Sequence, residues 1–507
     1  MRYDQSVLTF HVENFGCRAT QADGAALERQ FEARGLGRAS ADHADFVILN
    51  SCTVTNSADQ DARAAIRRVQ RQNPLAKIVV TGCYAQRAPE EVAALAGVTT
   101  VIGNSHKHQL ADLVLGENFC EDKTFLPLSA LTENRELRSE NSIFVSDIFA
   151  HTELLAAPVF ESASGGGGHE NERTRPNLKI QDGCDNRCSF CVIPSVRGQS
   201  RSLAAWQVIR EMNALVAAGY REVVISGINL GRWGRDLAIS SQPSALSENL
   251  EFHGRWRTPN DQRLEFLIRA ILAETQLEKL RISSVEPMDW SDELIALAAS
   301  SPRIANHAHV PLQSGSDAVL RRMHRKYRPW HYREKIEKIR AAMPAAAIGA
   351  DVMVGFPGET DAEFECTQRL IEELPFTYLH VFTYSARPGT PAAAMAKQVP
   401  VQIARERNKI LRDLSAAKKD AFMRSFVGEP LDAITLSAVH NGPDGEFTEA
   451  LTDNYQKLYL KGRHGANRWI PVRIEEVRDG ALVGSSTERA MPMPVLRAVE
   501  EPHFTEA

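Results

Sequence analysis

Three cysteines grouped directly after a short apolar run constrain the fold of this chain more than any other feature. Cys184, Cys188 and Cys191 have the spacing C-x3-C-x2-C, and the strand-like run Leu178–Gln181 precedes them. Three thiolates on one tight loop can hold three irons of a [4Fe–4S] cube, which leaves the fourth iron without a protein ligand. An open metal position is typical of a reactive site, as catalytic zinc sites also show. The loop therefore predicts a reaction centre built around a cluster.

Two other uses of the three cysteines are less consistent with the sequence. A structural zinc site usually needs a fourth Cys or His nearby, and none follows Cys191 at such a spacing. A disulfide framework does not suit a long chain that has eight cysteines and begins without a secretory signal. The cluster is the favoured interpretation, and zinc is the alternative that stays open.

The composition is that of a globular protein with several domains. A length of 507 residues suggests about three domains, and 43% of the residues are hydrophobic. No apolar run approaches the roughly 18 residues that span a bilayer, so we expect a cytoplasmic protein that does not enter a membrane. The net charge is only −5, so a surface for nucleic acid has to be local.

A second set of three cysteines follows three further strand-like runs. The runs are residues 9–16 before Cys17, residues 45–51 before Cys52 and residues 77–82 before Cys83. Helical patterns lie between them, and this alternation predicts a parallel α/β sheet whose ligands gather beyond the carboxyl ends of its strands. The three cysteines would then meet at one edge and hold a second cube with an open iron. The alternative is three isolated buried thiols.

The central part of the chain predicts a partial (β/α)6 barrel that is open at one side. Six apolar runs alternate with helical patterns: residues 178–181, 222–226, 280–284, 307–312, 348–354 and 378–384. Polar or glycine-rich segments that contain Gly227, Gln313 and Gly355 follow the second, fourth and fifth of these runs, at the end where barrel enzymes place their chemistry. Each segment taken alone is better explained by ordinary turn chemistry, and it is their recurrence at strand ends that favours a functional rim.

The remaining segments complete the predicted organisation. The expected parts are an N-terminal α/β domain (6–115), a linker (116–174), the barrel (175–405), a connecting helix (406–427) and a C-terminal all-β barrel (428–497). Residues 161–172 read as a flexible polar stretch, and residues 237–262 read as a surface insertion. Regularly spaced short strands in the tail are typical of a small barrel. No role is predicted for Cys120 or Cys366.

Two local basic surfaces are candidates for contact with RNA. The run 321–328 includes Arg325 and Lys326, and it either holds phosphates near the active site or forms a solvated helix face. In the tail, Tyr455, Lys457 and Lys461 belong to a segment that interleaves aromatic and basic side chains, as stacking on bases and contact with phosphates require.

These parts, in this order, resemble the radical S-adenosylmethionine (SAM) methylthiotransferases. In that family a three-cysteine N-terminal domain precedes a radical SAM barrel and a small C-terminal TRAM barrel, and an aromatic residue such as Phe190 precedes the last cysteine of the SAM loop. Within the family, the amino-acid sequence is most similar to the branch that acts on N6-threonylcarbamoyladenosine beside the tRNA anticodon. The matching stretches are residues 50–56, 80–86, 178–184 and 381–392.

The resemblance implies the cofactors and their residues. Two [4Fe–4S] clusters are expected: Cys184, Cys188 and Cys191 would hold the catalytic SAM cluster, and Cys17, Cys52 and Cys83 the auxiliary one. SAM would lie against Phe190, Gly227, Gln313 and Gly355. One SAM would yield the radical that takes the hydrogen from C2 of adenine, and a second would methylate a sulfide on the auxiliary cluster, so two SAM molecules are used per turnover.

The resemblance also implies the partners: tRNA, a low-potential electron donor of the flavodoxin or ferredoxin type, and a sulfur source, with the enzyme acting as a monomer. Related activities stay open. They are methylthiotransferases for N6-isopentenyladenosine in tRNA or for a ribosomal-protein aspartate, another radical SAM reaction such as RNA methylation, and a non-catalytic iron–sulfur RNA-binding protein.

Overall fold

The computed structural model describes residues 7–116, 142–151, 174–237, 263–442 and 445–487. The chain forms two compact units, Met1–Phe422 and Met423–Ala507. Cys120, the polar stretch 161–172 and nearly all of the expected insertion lie outside the described residues. Within the described part of the chain, no helix is both long and apolar enough to cross a bilayer.

The first part of the larger unit is a six-stranded sheet in which every neighbouring pair is parallel, in the order β2-β1-β3-β4-β5-β6. Its strands are β1 (Thr9–Asn14), β2 (Gly37–Arg38), β3 (Phe46–Ser51), β4 (Lys77–Gly82), β5 (Val98–Gly103) and β6 (Ser142–Phe144). Its helices are α1 (Arg18–Glu32), α2 (Asn56–Gln72), α3 (Cys83–Arg87), α4 (Pro89–Ala93) and α5 (Leu110–Leu115).

Strand β3 shows why this sheet forms. All six of its residues are buried, and its apolar side chains alternate between two separate cores, Val47 and Leu49 in one and Phe46 and Ile48 in the other. A strand that is covered on both faces reads as a continuous apolar run, as parallel sheets require. The predicted parallel α/β sheet is confirmed.

One strand of this sheet lies where the sequence predicted only a linker. Strand β6 pairs with β5 in parallel through Ser142–Phe144, inside the segment 116–174. Only three residues take part, and two of them are exposed. So short a strand has no repeating apolar pattern for sequence analysis to detect.

The second part of the larger unit is a partial (β/α)6 barrel, as predicted. Its strands are β7 (Asn177–Asp182), β8 (Arg201–Ser202), β9 (Glu222–Gly227), β10 (Lys279–Ile282), β11 (His307–His309), β12 (Ala347–Val354) and β13 (Tyr378–Thr383). Its helices are α6 (Ile193–Arg197), α7 (Ala205–Ala217), α8 (Leu264–Glu274), α9 (Asp292–Ser300), α10 (Asp317–Arg322), α11 (Pro329–Ala342), α12 (Asp361–Glu373) and α13 (Val401–Arg424). Helix α13 begins at Val401, before the boundary expected at 405.

Six parallel strands follow one another in the order β7-β9-β10-β11-β12-β13. A bridge between Ser284 and His309 joins the two hydrogen-bonded groups of strands. The short strand β8 pairs antiparallel with β7, and among the described residues β13 has no neighbour beyond β12. The barrel is therefore open between β13 and β8.

The two faces of β12 separate the helical layer from the barrel interior. Ile348, Ala350 and Val352 belong to the large hydrophobic core that also contains side chains from the surrounding helices. Successive side chains of a strand point to opposite faces. Asp351 and Met353 therefore lie on the concave side, and both are only half-buried.

The smaller unit is a closed five-stranded barrel in the order β14-β15-β16-β18-β17. The strands are β14 (Pro430–Gly442), β15 (Gly445–Thr452), β16 (Lys457–Lys461), β17 (Trp469–Arg478) and β18 (Ala481–Ser486). Leu458 and Leu460 fill the core, and Lys457 and Lys461 are exposed on the other side of the same strand. The predicted small C-terminal barrel is confirmed.

A buried arginine fastens the first sheet to the partial barrel. Arg387, which follows β13, is only 1% exposed, and its guanidinium pairs with Asp59 of α2. The same guanidinium donates to Thr53 Oγ1 at 2.8 Å, one residue beyond Cys52. Strand β3, which ends directly before Cys52, is thus fixed against the barrel by a charge pair that water does not reach.

We predict that Arg387→Met destabilises the larger unit by about 3 kcal/mol, because it leaves the buried Asp59 carboxylate with one cation fewer. The thermal unfolding midpoint of the cluster-free protein should fall by roughly 5 °C or more. The matched control is Arg269→Met, which breaks the exposed pair with Glu293 and should cost about 1 kcal/mol at most. Equal shifts for the two variants would contradict this account.

Candidate active site

The loop of Cys184, Cys188 and Cys191 begins directly beyond the end of strand β7. Gly183 has a φ of +71°, and a Cβ there would lie 1.8 Å from the carbonyl oxygen of Gln199, so only glycine fits this turn. The amide of Cys184 donates to the Gly198 carbonyl at 3.0 Å, and the amide of Cys191 donates to the Cys188 carbonyl at 3.1 Å. These bonds close the loop and hold its cysteines together.

Nitrogen donors point at two of the three sulfur atoms. The backbone amide of Asn186 lies 3.4 Å from Cys184 Sγ, and the side-chain amide of Asn229 lies 3.7 Å from the same atom. Arg325 Nη1 lies 3.2 Å from Cys188 Sγ. Such donors stabilise negative charge on sulfur, as is usual around iron–sulfur clusters.

Burial disfavours free thiolates in this loop. It raises the pKa of Cys191 to about 12, and it also raises the pKa of Cys184, against the lowering effect of the Asn186 amide. At neutral pH a metal must therefore displace the protons before the sulfurs become anionic. Three thiols on one loop, two of them with donors already aimed at their sulfurs, fit a [4Fe–4S] cluster held by three cysteines.

The side chain of Arg325 is buried, although the run of basic residues around it suggested an exposed surface. The residue is only 8% exposed, its guanidinium pairs with Glu286, and its Nε donates to Tyr327 Oη at 3.2 Å. Contact with RNA phosphates stays a prediction for Arg325, whose guanidinium is buried against Glu286. Charge clustering in the run 321–328 does not reveal that one of its arginines turns inward. Lys326, the next residue, is exposed.

The second set of cysteines meets beyond the carboxyl ends of three strands, as predicted. Cys52 follows β3 directly, Cys83 begins α3 immediately after β4, and Cys17 is the N-cap residue of α1. Gly16, with a φ of +100°, brings the first loop so close that a Cβ there would lie 2.7 Å from Cys52 Sγ. Burial, followed by the neighbouring Cys83, raises the pKa of Cys52 to about 12.

Helix α6 places the two sets of cysteines next to each other. This helix begins two residues after Cys191, and Cys83 packs in one hydrophobic cluster with Val192 and Val196. The side-chain amide of Asn104 donates to the Val196 carbonyl at 2.8 Å and lies 3.6 Å from Cys83 Sγ. A single short segment of the barrel thus connects one site to the other.

A buried network of charges surrounds this junction. Asp23 of α1 pairs with Lys107, Lys179 and Arg197, and Asp182 at the end of β7 pairs with Lys179 and Arg197. Burial alone would raise the pKa of each carboxyl group, but the cations hold both pKa values well below their usual range.

Three cations face two carboxylates, so the network has one excess positive charge. Burial opposes the charge on Arg197, but Asp182 and the nearby Cys83 keep the pKa of its guanidinium well above the ordinary value. The excess charge lies where Cys83 and Cys17 would carry anionic sulfur. Sequence analysis missed this network. Its one visible signal is Lys179, a charged residue in the middle of a buried strand.

The residues expected to bind SAM lie around the barrel, and the structure gives each of the four a local role. A Cβ on Gly227 would be 2.8 Å from Gln181 Oε1, and one on Gly355 would be 2.6 Å from Ala404 Cβ. Gln313 has a φ of +64° and pairs through its backbone with β12. Phe190 packs edge-on against Phe356, with ring centroids 6.4 Å apart. Contact with SAM stays a prediction for all four.

The expected RNA-binding residues of the small barrel form contacts with other side chains of that barrel or lie partly buried in it. Lys457 pairs with Glu449 at 2.7 Å, and its ammonium lies 4.8 Å from the centroid of the Tyr459 ring. Lys461 pairs with Glu475, and Tyr455 is half-buried with a φ of +65°. Contact with RNA stays a prediction for these residues.

A three-cysteine loop beyond the first strand of a partial (β/α)6 barrel defines the class of the radical SAM enzymes. The model of the Radical SAM superfamily matches residues 178–371, and the model described as uncharacterized protein family UPF0004 matches residues 9–103. A solved radical SAM methyltransferase, TsrM from Kitasatospora setae, shares the fold with a TM-score of 0.51 at 16% identity, over 77% of each chain.

Sequence similarity to named proteins identifies one family within the radical SAM enzymes. The threonylcarbamoyladenosine tRNA methylthiotransferase MtaB of Bacillus subtilis is 35% identical over 90% of this chain and 91% of its own length. The enzyme of the same name from Aquifex aeolicus is 32% identical over 91% and 99%. The tRNA-2-methylthio-N(6)-dimethylallyladenosine synthase of Thermobifida fusca is 30% identical over 96% and 87%. The chain belongs to the radical SAM methylthiotransferase family, whose chemistry requires SAM and a [4Fe–4S] cluster.

We predict that Arg325→Leu lowers the midpoint potential of the cluster at Cys184, Cys188 and Cys191. The substitution removes the charge-assisted hydrogen bond from Arg325 to the Cys188 sulfur, and such a bond stabilises the reduced state of a cluster. One such bond corresponds to about 60 mV for one electron. Spectroscopic redox titration of the reconstituted protein measures the potential. Arg321→Leu changes an exposed arginine of α10 and is the control. An unchanged potential in the Arg325 variant would refute the assigned role.

Proposed function

We propose that the protein transfers a methylthio group to C2 of N6-threonylcarbamoyladenosine at position 37 of tRNA, next to the anticodon. The observation that carries the reaction type is the pair of three-cysteine sites connected through helix α6. The substrate is suggested by the relatives from Bacillus subtilis and Aquifex aeolicus, which carry this activity in their names. The relative from Thermobifida fusca supports N6-dimethylallyladenosine, also called isopentenyladenosine, as the alternative substrate.

The C2–H bond of adenine explains why such a site is needed. This hydrogen has no accessible acidity, so positioned acid and base groups cannot remove it at neutral pH. Cys184, Cys188 and Cys191 would hold the cluster that binds SAM, and Cys17, Cys52 and Cys83 would hold the auxiliary cluster. When bound, the two clusters and two SAM molecules per turnover supply the radical chemistry, the sulfur and the methyl group.

The residues of the chain position and tune these groups. Asn186, Asn229 and Arg325 direct N–H donors at the sulfurs of the first site. Near the second site, Arg197 belongs to the buried network, and its guanidinium lies close enough to Cys83 to interact with it electrostatically. The burial of Cys52 and Cys83 keeps water away from reactive species, as this chemistry needs.

The small barrel is proposed to hold the tRNA. Lys457, Tyr459 and Lys461 share the outward face of β16, where they alternate with buried leucines. A cationic side chain beside an aromatic ring offers both contact with phosphate and stacking for a base. A low-potential electron donor of the flavodoxin or ferredoxin type and a source of sulfur complete the proposal.

The test is the nucleoside content of tRNA from a strain that lacks the gene. The proposal predicts loss of 2-methylthio-N6-threonylcarbamoyladenosine, accumulation of its precursor without the methylthio group, and restoration by the wild-type gene. Cys188→Ala should not restore the product, whereas Cys366→Ala should, because Cys366 is exposed on α12 and belongs to neither set of three cysteines. Mass spectrometry distinguishes the outcomes, and loss of the isopentenyl derivative instead would establish the alternative substrate.

A further inference from the structure

Three polar side chains from neighbouring strands form a cluster on the interior face of the partial barrel. They are His309 at the end of β11, Asp351 on β12 and His380 on β13. Asp351 and His380 are direct neighbours in the strand register, and one ligand atom from each of the three residues lies within 4.8 Å of the others. The cluster belongs to none of the cysteine sites described above.

Within the described part of the chain, His309 lacks the hydrogen bonds that a buried imidazole normally makes. The residue is 8% exposed, and neither ring nitrogen has a hydrogen-bond partner among the described residues. The nearest Asp351 oxygen lies 3.4 Å from Nε2. A buried polar group without a partner destabilises the folded protein. Such a group on the interior face of the barrel indicates a ligand that supplies the missing partner.

The cluster lies on the side of the barrel that faces the auxiliary cysteines. Arg18, which follows Cys17, is close enough to act electrostatically on His380, and its carbonyl accepts a bond of 2.8 Å from Asn177 of β7. Burial lowers the pKa of His380, and His309 and Arg18 lower it further, against the opposite effect of Asp351. A neutral imidazole both donates and accepts a hydrogen bond, so it suits a ligand with mixed polar groups.

We infer that His309, Asp351 and His380 form the subsite that reads a polar substituent on N6 of the substrate adenine. This inference rests on the proposed function and deepens it. A substituent with N–H, hydroxyl and carboxylate groups, such as threonylcarbamoyl, can satisfy the imidazoles and the carboxylate of the cluster. The positive charge of Arg18 nearby favours an anionic group. A hydrocarbon substituent would leave the same side chains without partners, and sites built for hydrogen bonding reject such analogues strongly.

The experiment compares two anticodon stem-loop RNAs that differ only in the N6 substituent, threonylcarbamoyl or isopentenyl. Product formation by reconstituted enzyme gives kcat/KM for each RNA and hence a selectivity ratio. In the wild type the ratio should favour the threonylcarbamoyl RNA. In His380→Phe and Asp351→Asn the ratio should fall by about ten- to 100-fold, because each variant removes polar partners of the substituent. The ratio is unaffected by a general loss of active enzyme.

The control is His43→Phe, which changes an exposed imidazole beside Asp42 and should leave the ratio as in the wild type. If the wild type modifies only the isopentenyl RNA, the proposed substrate is wrong. If the wild type prefers the threonylcarbamoyl RNA and the variants lose activity equally on both RNAs, the subsite is wrong while the proposed function stands.

Two imidazoles and a carboxylate can also bind a divalent metal. Elemental analysis of the purified variants separates this possibility from a substrate subsite. A stoichiometric metal other than the cluster iron, present in the wild type and lost in His380→Phe and Asp351→Asn, would overturn the inference. Equal metal content in all three proteins supports it.

Discussion

Two buried carboxylates, Asp23 and Asp182, determine how the halves of the reaction centre fit together. Asp23 comes from the first helix of the N-terminal sheet and Asp182 from the end of the first barrel strand, and Lys179 and Arg197 bind both. Burying five charges is costly, and the cost is offset only when every charge has a partner. The network therefore fixes one relative placement of the two cysteine sites, and its excess positive charge suits neighbours that carry anionic sulfur.

The elements that the sequence predicted well are those with continuous apolar patterns. Strand β4 has the predicted bounds, and β3 begins only one residue later than expected. The agreement is good because both strands are covered by helices and bounded by polar residues. Cysteines at the carboxyl ends of parallel strands had to meet at one edge of the sheet, so the grouping of Cys17, Cys52 and Cys83 followed from topology.

The features that the sequence did not predict depend on tertiary contacts. Arg325 belongs to a run of basic residues that resembles a surface, but its guanidinium turns inward to Glu286 and Cys188. The cluster of His309, Asp351 and His380 comes from three strands that are distant in sequence, and each residue alone reads as an ordinary polar position. No periodic pattern marks such residues, because their neighbours are set by the closing of the sheet.

The most direct test of the account is the iron content of anaerobically reconstituted protein, since the central claim is that two clusters are each held by three cysteines. The account predicts about eight irons per chain in the wild type, and about four after alanine replaces either Cys184, Cys188 and Cys191 or Cys17, Cys52 and Cys83. Cys366→Ala should keep all eight. A wild-type content of about four irons that is unaffected by loss of Cys17, Cys52 and Cys83, or zinc in place of iron, would contradict it.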